Sequence, residues 1–441
     1  MSNILEEKGI TEERLENMLE KYTSKNVRLV NYEAKLYKEG VQYDIYKILI
    51  NYQVNSGTIN HLPIVAKVYK GVNSDWFGEE KERNEIVYEN RVAEYLKGNE
   101  YIVKSLGIGP YNDIFLMEDL GEDTLEKEFV KSKEKNILKS AKNQNLIERT
   151  FLALISIHKH LDEKKIGNVP LQEHYTKKLC SYLKSIFAGK GKELPQSLLD
   201  KIKENFEPID KYLTRGAIGN EIELDVIHSD FHASHIFIDS MKVIDFRLTI
   251  APAQFDIVDL LEHPLVYNIF DNPRKKIENF LIEYKRKIEL SAIKDSLKLR
   301  NLTHKEIKDK LGENGVEILD KIGRDRKEIL TNNFLDIYYL SGMYRGIRAA
   351  AKSFSLEQKY PNLYEKLVEN NPLYPKYRIW YLSHLKELFE TIKKENGMIP
   401  NKDMEHLTIF YNILAENIEE INSNYEFVKT NSNQNKASVG I

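Results

Sequence analysis

The strongest constraint on the fold is a change of period along the chain. Up to about residue 120 the apolar residues alternate or run in short β-branched and aromatic stretches. These are Val27–Tyr32, Ala34–Tyr37, Tyr43–Tyr52 and Ile64–Lys70, divided by the turn signals Glu39-Gly40 and Asn55-Ser56-Gly57. Period-two alternation broken by such turns predicts an antiparallel meander of about four strands. Tyr101–Leu106 and Ile114–Glu118 read as two more strands, split by Gly107, Gly109 and Pro110. Helical spacing in Glu79–Leu96 places one main helix beside this sheet, and Thr11 caps a short leading helix with Leu15, Met18 and Leu19 on one face. From Leu125 onward the spacing is helical almost throughout. In Gln144–Leu161 the residues Leu146, Ile147, Phe151, Leu154, Ile157, His158 and Leu161 share one stripe. The interruption is Asp225–Phe246, where the short apolar runs Val226-Ile227, Ile236–Ile238 and Val243-Ile244 flank an Asp239-Ser240 turn. A small sheet with one helix, followed by a helical body, is an α+β arrangement.

Composition narrows the function classes. With 441 residues the chain has room for two or three domains. Its 65 Lys and Arg against 68 Asp and Glu leave a net charge of -3, which argues against a protein that coats nucleic acid. Cys180 is the one cysteine, so an intramolecular disulfide and zinc sites built on two or more cysteines are excluded by count. A reducing, cytoplasmic setting is the expectation. The N-terminus has no apolar core of signal-peptide length, and no run of eighteen apolar residues occurs, so no membrane span is expected.

The most informative stretch is Ile227–Arg247, IHSDFHASHIFIDSMKVIDFR. Asp230 follows a short apolar run at a strand-to-loop junction, where backbone on both sides can fix its direction, and such a carboxylate can take up the proton of an attacking hydroxyl. Asp245 ends the second hairpin strand and is suited to a hard divalent cation, which prefers oxygen ligands. Two carboxylates and a metal are the minimum equipment for in-line phosphoryl transfer. Taken singly, both aspartates read equally well as turn residues.

Here the sequence resembles the protein-kinase-like superfamily, and within it the small-molecule branch of aminoglycoside phosphotransferases, choline kinases and lipopolysaccharide core kinases. The resemblance rests on His228-Ser229-Asp230, His232, His235 and Asp245-Phe246-Arg247. Upstream it takes in Val65-Ala66-Lys67 and Leu116-Met117-Glu118-Asp119-Leu120-Gly121, in the family's order. It implies a two-lobed α+β fold, with a small antiparallel-sheet N-lobe and a mostly helical C-lobe. It further implies ATP with Mg2+, or Mn2+, as cofactors. By position, Lys67 binds phosphates and pairs with a glutamate of the following helix, Glu89 or, one turn earlier, Glu85. Met117 to Leu120, including Glu118, offer backbone hydrogen bonds to adenine; Gly40 lies at the phosphate-covering turn; Asp230 is catalytic; Asp245 and His235 hold the metal. The expected partition is a leading helix over 1–24, an N-lobe over 25–121, a C-lobe core over 122–264, an acceptor-binding helical extension over 265–429 and a disordered tail over 430–441.

Two departures bear on activity. The phosphate turn has only Gly40, and the second metal position, usually Asn, is His235, an imidazole that binds magnesium weakly. A histidine there is similar to the pattern of lipopolysaccharide heptose kinases. Only Leu248–Gln254 separate Arg247 from the next helix, which leaves no room for a peptide-holding activation segment. The expectation is therefore an ATP-dependent phosphotransferase acting on a hydroxyl of a sugar, an aminoglycoside-like compound or a glycolipid precursor. The alternatives are a pseudokinase that binds nucleotide or docks a partner, and a protein Ser/Thr kinase.

Three further features have two readings each. His228 and His232 fit a structural role in the loop. Arg345, Arg348 and Lys352 share a stripe of Asn332–Phe354 beside Tyr338 and Tyr344, either a solvated basic face or a clamp for an anionic substrate. Arg274–Arg300 carries nine basic and four acidic residues, a charged helix exterior or a peripheral contact for anionic headgroups.

Overall fold

The computed structural model describes residues 4–40, 43–54, 57–70, 85–167, 169–172, 174–189, 191–215, 224–296, 306, 308–310, 332–395 and 399–422. The expected turn at 55–56, positions 79–84 of the expected helix, the end of the basic stretch at 297–300 and the expected tail lie outside the described residues.

The alternating segments form one five-stranded antiparallel sheet of β1 (Val27–Lys38), β2 (Tyr43–Val54), β3 (Ile59–Tyr69), β4 (Ser105–Ile108) and β5 (Ile114–Glu118), in the order β1-β2-β3-β5-β4. The two stretches expected at 27–32 and 34–37 are a single strand, whose register against β2 shifts between Leu29 and Asn31. Strand β3 begins five residues earlier than its apolar run and passes through Pro63. There β3 pairs with β2 alone, because β5 joins only from Ile64, and a residue without an N–H is tolerated where one neighbour is missing.

Alternation sends Ile48, Ile50, Ile64, Ala66, Val68, Ile114 and Leu116 to one face of the sheet, where two leading helices, α1 (Ile4–Glu7) and α2 (Glu12–Thr23), cover them. Ile4, Leu5, Leu15, Met18 and Leu19 are the buried residues of those two helices, and Thr11 Oγ1 caps α2 by accepting from the Arg14 N–H at 3.3 Å. Gly107 has φ +130°, a backbone conformation that side-chain-bearing residues rarely adopt, so the turn of β4 beside Met18 of α2 requires glycine. The leading segment and the sheet therefore share one core, and the boundary drawn at residue 24 does not separate them. The opposite face carries Lys67, paired in register with Ile45 and Phe115, and looks toward the site. Helix α3 (Glu85–Tyr95) follows β3.

The chain divides into two compact units, Met1–Leu171 with Leu224–Leu330, and Gln172–Glu223 with Thr331–Ile441. Beyond the sheet, the first contains α4 (Leu125–Glu134), α5 (Ala141–His160), α6 (Glu163–Ile166), β6 (Asp225–Ile227), β7 (Thr249–Ala251), α9 (Gln254–Leu261), α10 (Pro264–Tyr267) and α11 (Pro273–Ser296). The expected hairpin at 236–238 and 243–244 closes through Phe237 N–H to Lys242 O at 3.0 Å and Ile244 N–H to His235 O at 3.1 Å, with one bridge, Ile236 to Val243. Two other N–H groups bond elsewhere: Ile238 N–H donates to Asp123 O and Val243 N–H to Tyr101 O. β6 pairs instead with β7, antiparallel, over three residues.

The second unit holds α7 (Tyr175–Ala188), α8 (Gln196–Arg215), α12 (Asn332–Lys359), α13 (Pro361–Asn370), α14 (Tyr374–Glu395) and α15 (Asn401–Asn422). Gly342 and Gly346 let α12 approach Leu388 and Leu385 of α14, and the Tyr175 and Tyr344 rings meet edge to face at 5.2 Å. Packing thus divides the helices differently from a boundary at residue 264: α11 stays with α5 through Phe280 on Phe151, while α7 and α8 join the later helices. The Arg345 stripe is not a solvated face, since Arg345 is buried and Arg348 and Lys352 are half-buried.

Candidate active site

Strand β3 and helix α3 deliver a lysine and a glutamate to one point. Lys67 Nζ lies 2.7 Å from Glu89 Oε2 and 2.5 Å from Asp245 Oδ1. Glu89 closes the triangle, because its Oε1 accepts the Asp245 backbone N–H at 2.8 Å. Of the two glutamates offered by spacing, Glu89 meets Lys67, and the side chain of Glu85 lies outside the described residues. The Tyr43 ring lies 4.5 Å from Lys67 Nζ, on the side of the phosphate-turn expectation. In that turn Gly40 has no room for a Cβ, which would stand 2.3 Å from the Tyr43 carbonyl.

The electrostatics follow from burial and neighbours. Burial pushes the Glu89 carboxyl up, with Lys67 opposing and Asp245 adding to the rise. Burial also acts to raise Asp245, but Lys67, His235 and Arg247 outweigh it and hold this carboxyl well below its ordinary range. Asp245 is an ionised carboxylate held in the left-handed region at φ 65°, a conformation Asp tolerates better than most residues.

Asp230 is buried at the start of the loop, and that loop is pinned from below. Ser229, at φ 69°, and His228 donate their N–H groups to Asp256 at 2.7 and 2.6 Å. Asp256 Oδ2 also takes the His158 Nε2–H at 2.9 Å, and His158 Nδ1 meets the Tyr284 hydroxyl at 2.7 Å. His228 joins the two aspartate segments, accepting from Asp230 N–H at 3.2 Å and donating from Nε2 to Ile244 O at 2.9 Å. Burial lowers its pKa, as a ring with that single proton requires. Arg247 stands between the carboxylates, 3.7 Å from Asp230 Oδ2 and 4.0 Å from Asp245 Oδ2.

His235 tests whether a divalent cation suits this site. Its Nδ1 lies 3.0 Å from the Asp230 carbonyl, which can only accept, so the proton sits on Nδ1. Burial and the adjacent His232 ring push its pKa down to about 3, and the ring is neutral. The Nε2 lone pair then faces Asp245 Oδ2 at 3.2 Å. Two acceptors that face one another across such a gap fit a shared cation, and the residues present suit one.

The hinge residues divide. The Glu118 N–H donates to Lys104 O at 3.0 Å, and its carboxylate takes the Lys104 N–H at 2.6 Å and the Lys242 ammonium. Glu118 is therefore committed to holding β4 and the 239–243 turn. Met117 is buried in β5, and Leu120 is half-buried in the segment that leaves it. The sequence placed Arg247 in the motif without a role of its own and pointed to no role for Asp256 or His158. A signal was present for two of them: an aspartate inside the apolar run Gln254–Leu261, and a histidine on the apolar stripe of α5.

No family model and no curated protein sequence matches the chain. Solved structures do. A protein named as an aminoglycoside phosphotransferase from Ralstonia eutropha JMP134 is 11% identical, with 84% of this chain and 98% of that one covered at a TM-score of 0.40. A choline/ethanolamine kinase family protein from Mesorhizobium loti is 11% identical, with 86% and 92% covered at 0.40. A Plasmodium vivax ethanolamine kinase is 12% identical, with 78% and 83% covered at 0.39. On its own element order, from the five-stranded sheet and its helix through the hinge to the helical lobe with the Asp230 and Asp245 loops, the chain has the two-lobed protein-kinase-like α+β fold.

Proposed function

We propose that the protein transfers the γ-phosphoryl group of ATP to a hydroxyl of a small molecule, a sugar, an aminoglycoside-like compound or a glycolipid precursor. The observation that supports this reading most is the triangle of Lys67, Glu89 and Asp245 beside the pinned Asp230 loop. In this reading Glu89 keeps Lys67 extended toward the nucleotide phosphates. Asp245 and His235 would hold a divalent cation, which supplies neutralisation of phosphate charge when bound. Asp230 orients the acceptor hydroxyl and takes its proton as the oxygen bonds to the γ-phosphorus and the bond to the bridging oxygen of ADP breaks. Arg247 offsets the charge of the paired carboxylates. Adenine falls to the segment after Met117, where Leu120 offers its backbone, since the Glu118 N–H is already bonded to Lys104.

The direct experiment is thermal unfolding with ATP, with and without Mg2+ or Mn2+, on the wild type and on Asp245→Ala, followed by an acceptor screen for ADP release. A nucleotide at about a hundred times its dissociation constant stabilises by roughly 2.7 kcal/mol. The reading expects a metal-dependent shift that Asp245→Ala removes, and an acceptor-dependent turnover that Asp230→Asn removes. Absence of any nucleotide shift in the wild type overturns it.

A further inference from the structure

The loop that carries Asp230 also carries His232 and His235, and one ligand atom of each lies within 4.8 Å of the other two. The spacing Asp-x-His-x-x-His wraps them around a single 3-10 turn, Ala233–His235, closed by His232 N–H to Asp230 O at 3.0 Å and His235 N–H to His232 O at 2.9 Å. The two imidazole rings are 3.9 Å apart, and His232 Nε2 is 3.7 Å from Asp230 Oδ2. Each ring has its Nδ1 engaged on the loop itself, His235 with the Asp230 carbonyl at 3.0 Å and His232 with Ser234 Oγ at 2.9 Å. The Asp230 carbonyl can only accept, so it fixes the His235 proton on Nδ1 and presents Nε2 to an ion, while the Ser234 hydroxyl, which can donate or accept, holds the direction of the His232 ring.

One carboxylate and two imidazoles make a donor set that magnesium disfavours and that zinc, cobalt and nickel favour. We propose that Asp230, His232 and His235 form a binding site for a divalent transition-metal ion of the zinc class. His232 distinguishes it from the cation pair of the function proposed above, which draws on Asp245 and His235 alone. The ion takes the carboxylate that acts as proton acceptor in the function proposed above, so filling the site stops transfer; that consequence rests on the kinase reading, and the metal site itself does not.

The test uses the full chain without nucleotide, with Co2+ as the spectroscopic probe and Zn2+ as competitor. The site expects visible d–d absorption that saturates at one Co2+ per chain, is displaced by an equivalent of Zn2+ and is unaffected by millimolar Mg2+. His232→Asn and His235→Asn each weaken Co2+ binding by about tenfold or more, while His61→Asn, an exposed histidine on the sheet, leaves it unchanged. His232 is about one-third exposed (32% of its side chain), so His232→Asn keeps the fold, checked by circular dichroism, and decides the matter if His235→Asn does not fold. No Co2+ absorption, or Co2+ held equally well by His232→Asn, overturns the site. The ATP and magnesium shift is measured separately: its absence with Co2+ binding intact removes the kinase reading alone, and the reverse result removes the metal site alone.

Discussion

Lys67 and Glu89 meet at 2.7 Å with both side chains nearly sealed from water, at 7% and 1% exposure. An ion pair at that depth is held by its geometry and by its second bonds, here Lys67 to Asp245 and Glu89 to the Asp245 backbone. Removing one partner leaves the other charge buried and uncompensated. Lys67→Ala is accordingly expected to destabilise the protein by about 3 kcal/mol, whereas Lys67→Met combined with Glu89→Leu recovers part of the loss, the remainder being Asp245 left without its lysine and its N–H without an acceptor. Urea unfolding of the single and the double variant measures this directly, and a loss well under about 1 kcal/mol in Lys67→Ala would mean that the pair is solvated.

Asp256 ties the loop of Asp230 to the helical body by accepting from two backbone N–H groups and from His158. An amide at that position offers one acceptor oxygen where the carboxylate has two. Asp256→Asn should cost about 2–4 kcal/mol, since hydrogen bonds to a charged group contribute roughly 1.5–3 kcal/mol each. Hydrogen exchange at the His228 and Ser229 amides is the specific readout: both should lose protection more than the amides of α5 do.

Acid should unfold the protein through its buried histidines before its carboxylates. His228, His235 and His263 all have pKa values lowered from 6.5, chiefly by burial, and those of His235 and His263 are pushed down to about 3. A histidine that binds protons less readily when folded favours the unfolded chain as pH falls below 6.5. Its penalty grows from there toward the folded value, by at most about 1.4 kcal/mol per pH unit for each histidine. Asp245, with a depressed folded value, loses its contribution only below the ordinary carboxylate range, and Glu89, with a raised one, works in the opposite sense. Urea midpoints at pH 7, 6 and 5 should therefore fall, with a smaller fall in His263→Gln; a flat profile over that range contradicts the burial of these rings.

Leu19 of α2 is fully buried against the outer face of the sheet. Leu19→Ala should cost about 3 kcal/mol, in the range for a buried leucine cut back to a methyl. If chemical denaturation shows a much smaller loss, the leading helix is a removable appendage and the sheet has another cover.

Much of the fold was legible because it depends on short-range pattern. Alternation along Tyr43–Tyr52 and Ile64–Lys70, a glycine at residue 40 and a cap at Thr11 act over a few residues, and the strands and helix around them follow. The exceptions are instructive. The expected hairpin at 236–244 kept two of its own bonds, Phe237 to Lys242 and Ile244 to His235, while Ile238 and Val243 gave their N–H groups to Asp123 and Tyr101, neighbours that its own residues do not encode. β7 has only three residues and acquires its partner from β6, whose Ile227 pairs with Thr249 from twenty-two residues upstream.

By itself the sequence determined the chemistry at hand: two aspartates in one loop region, a strand lysine, a helix carrying glutamates and a histidine where an oxygen ligand is usual. Only the tertiary structure decided which of these meet. It selected Glu89 for Lys67, bound the Glu118 N–H to Lys104, and brought Asp256 and His158 under the loop from helices 28 and 70 residues away from His228. The physical reason is that a residue's type and local period are properties of a few neighbouring positions. Which buried charge finds which partner depends on packing between segments far apart in the chain, where desolvation penalises every arrangement but the satisfied one.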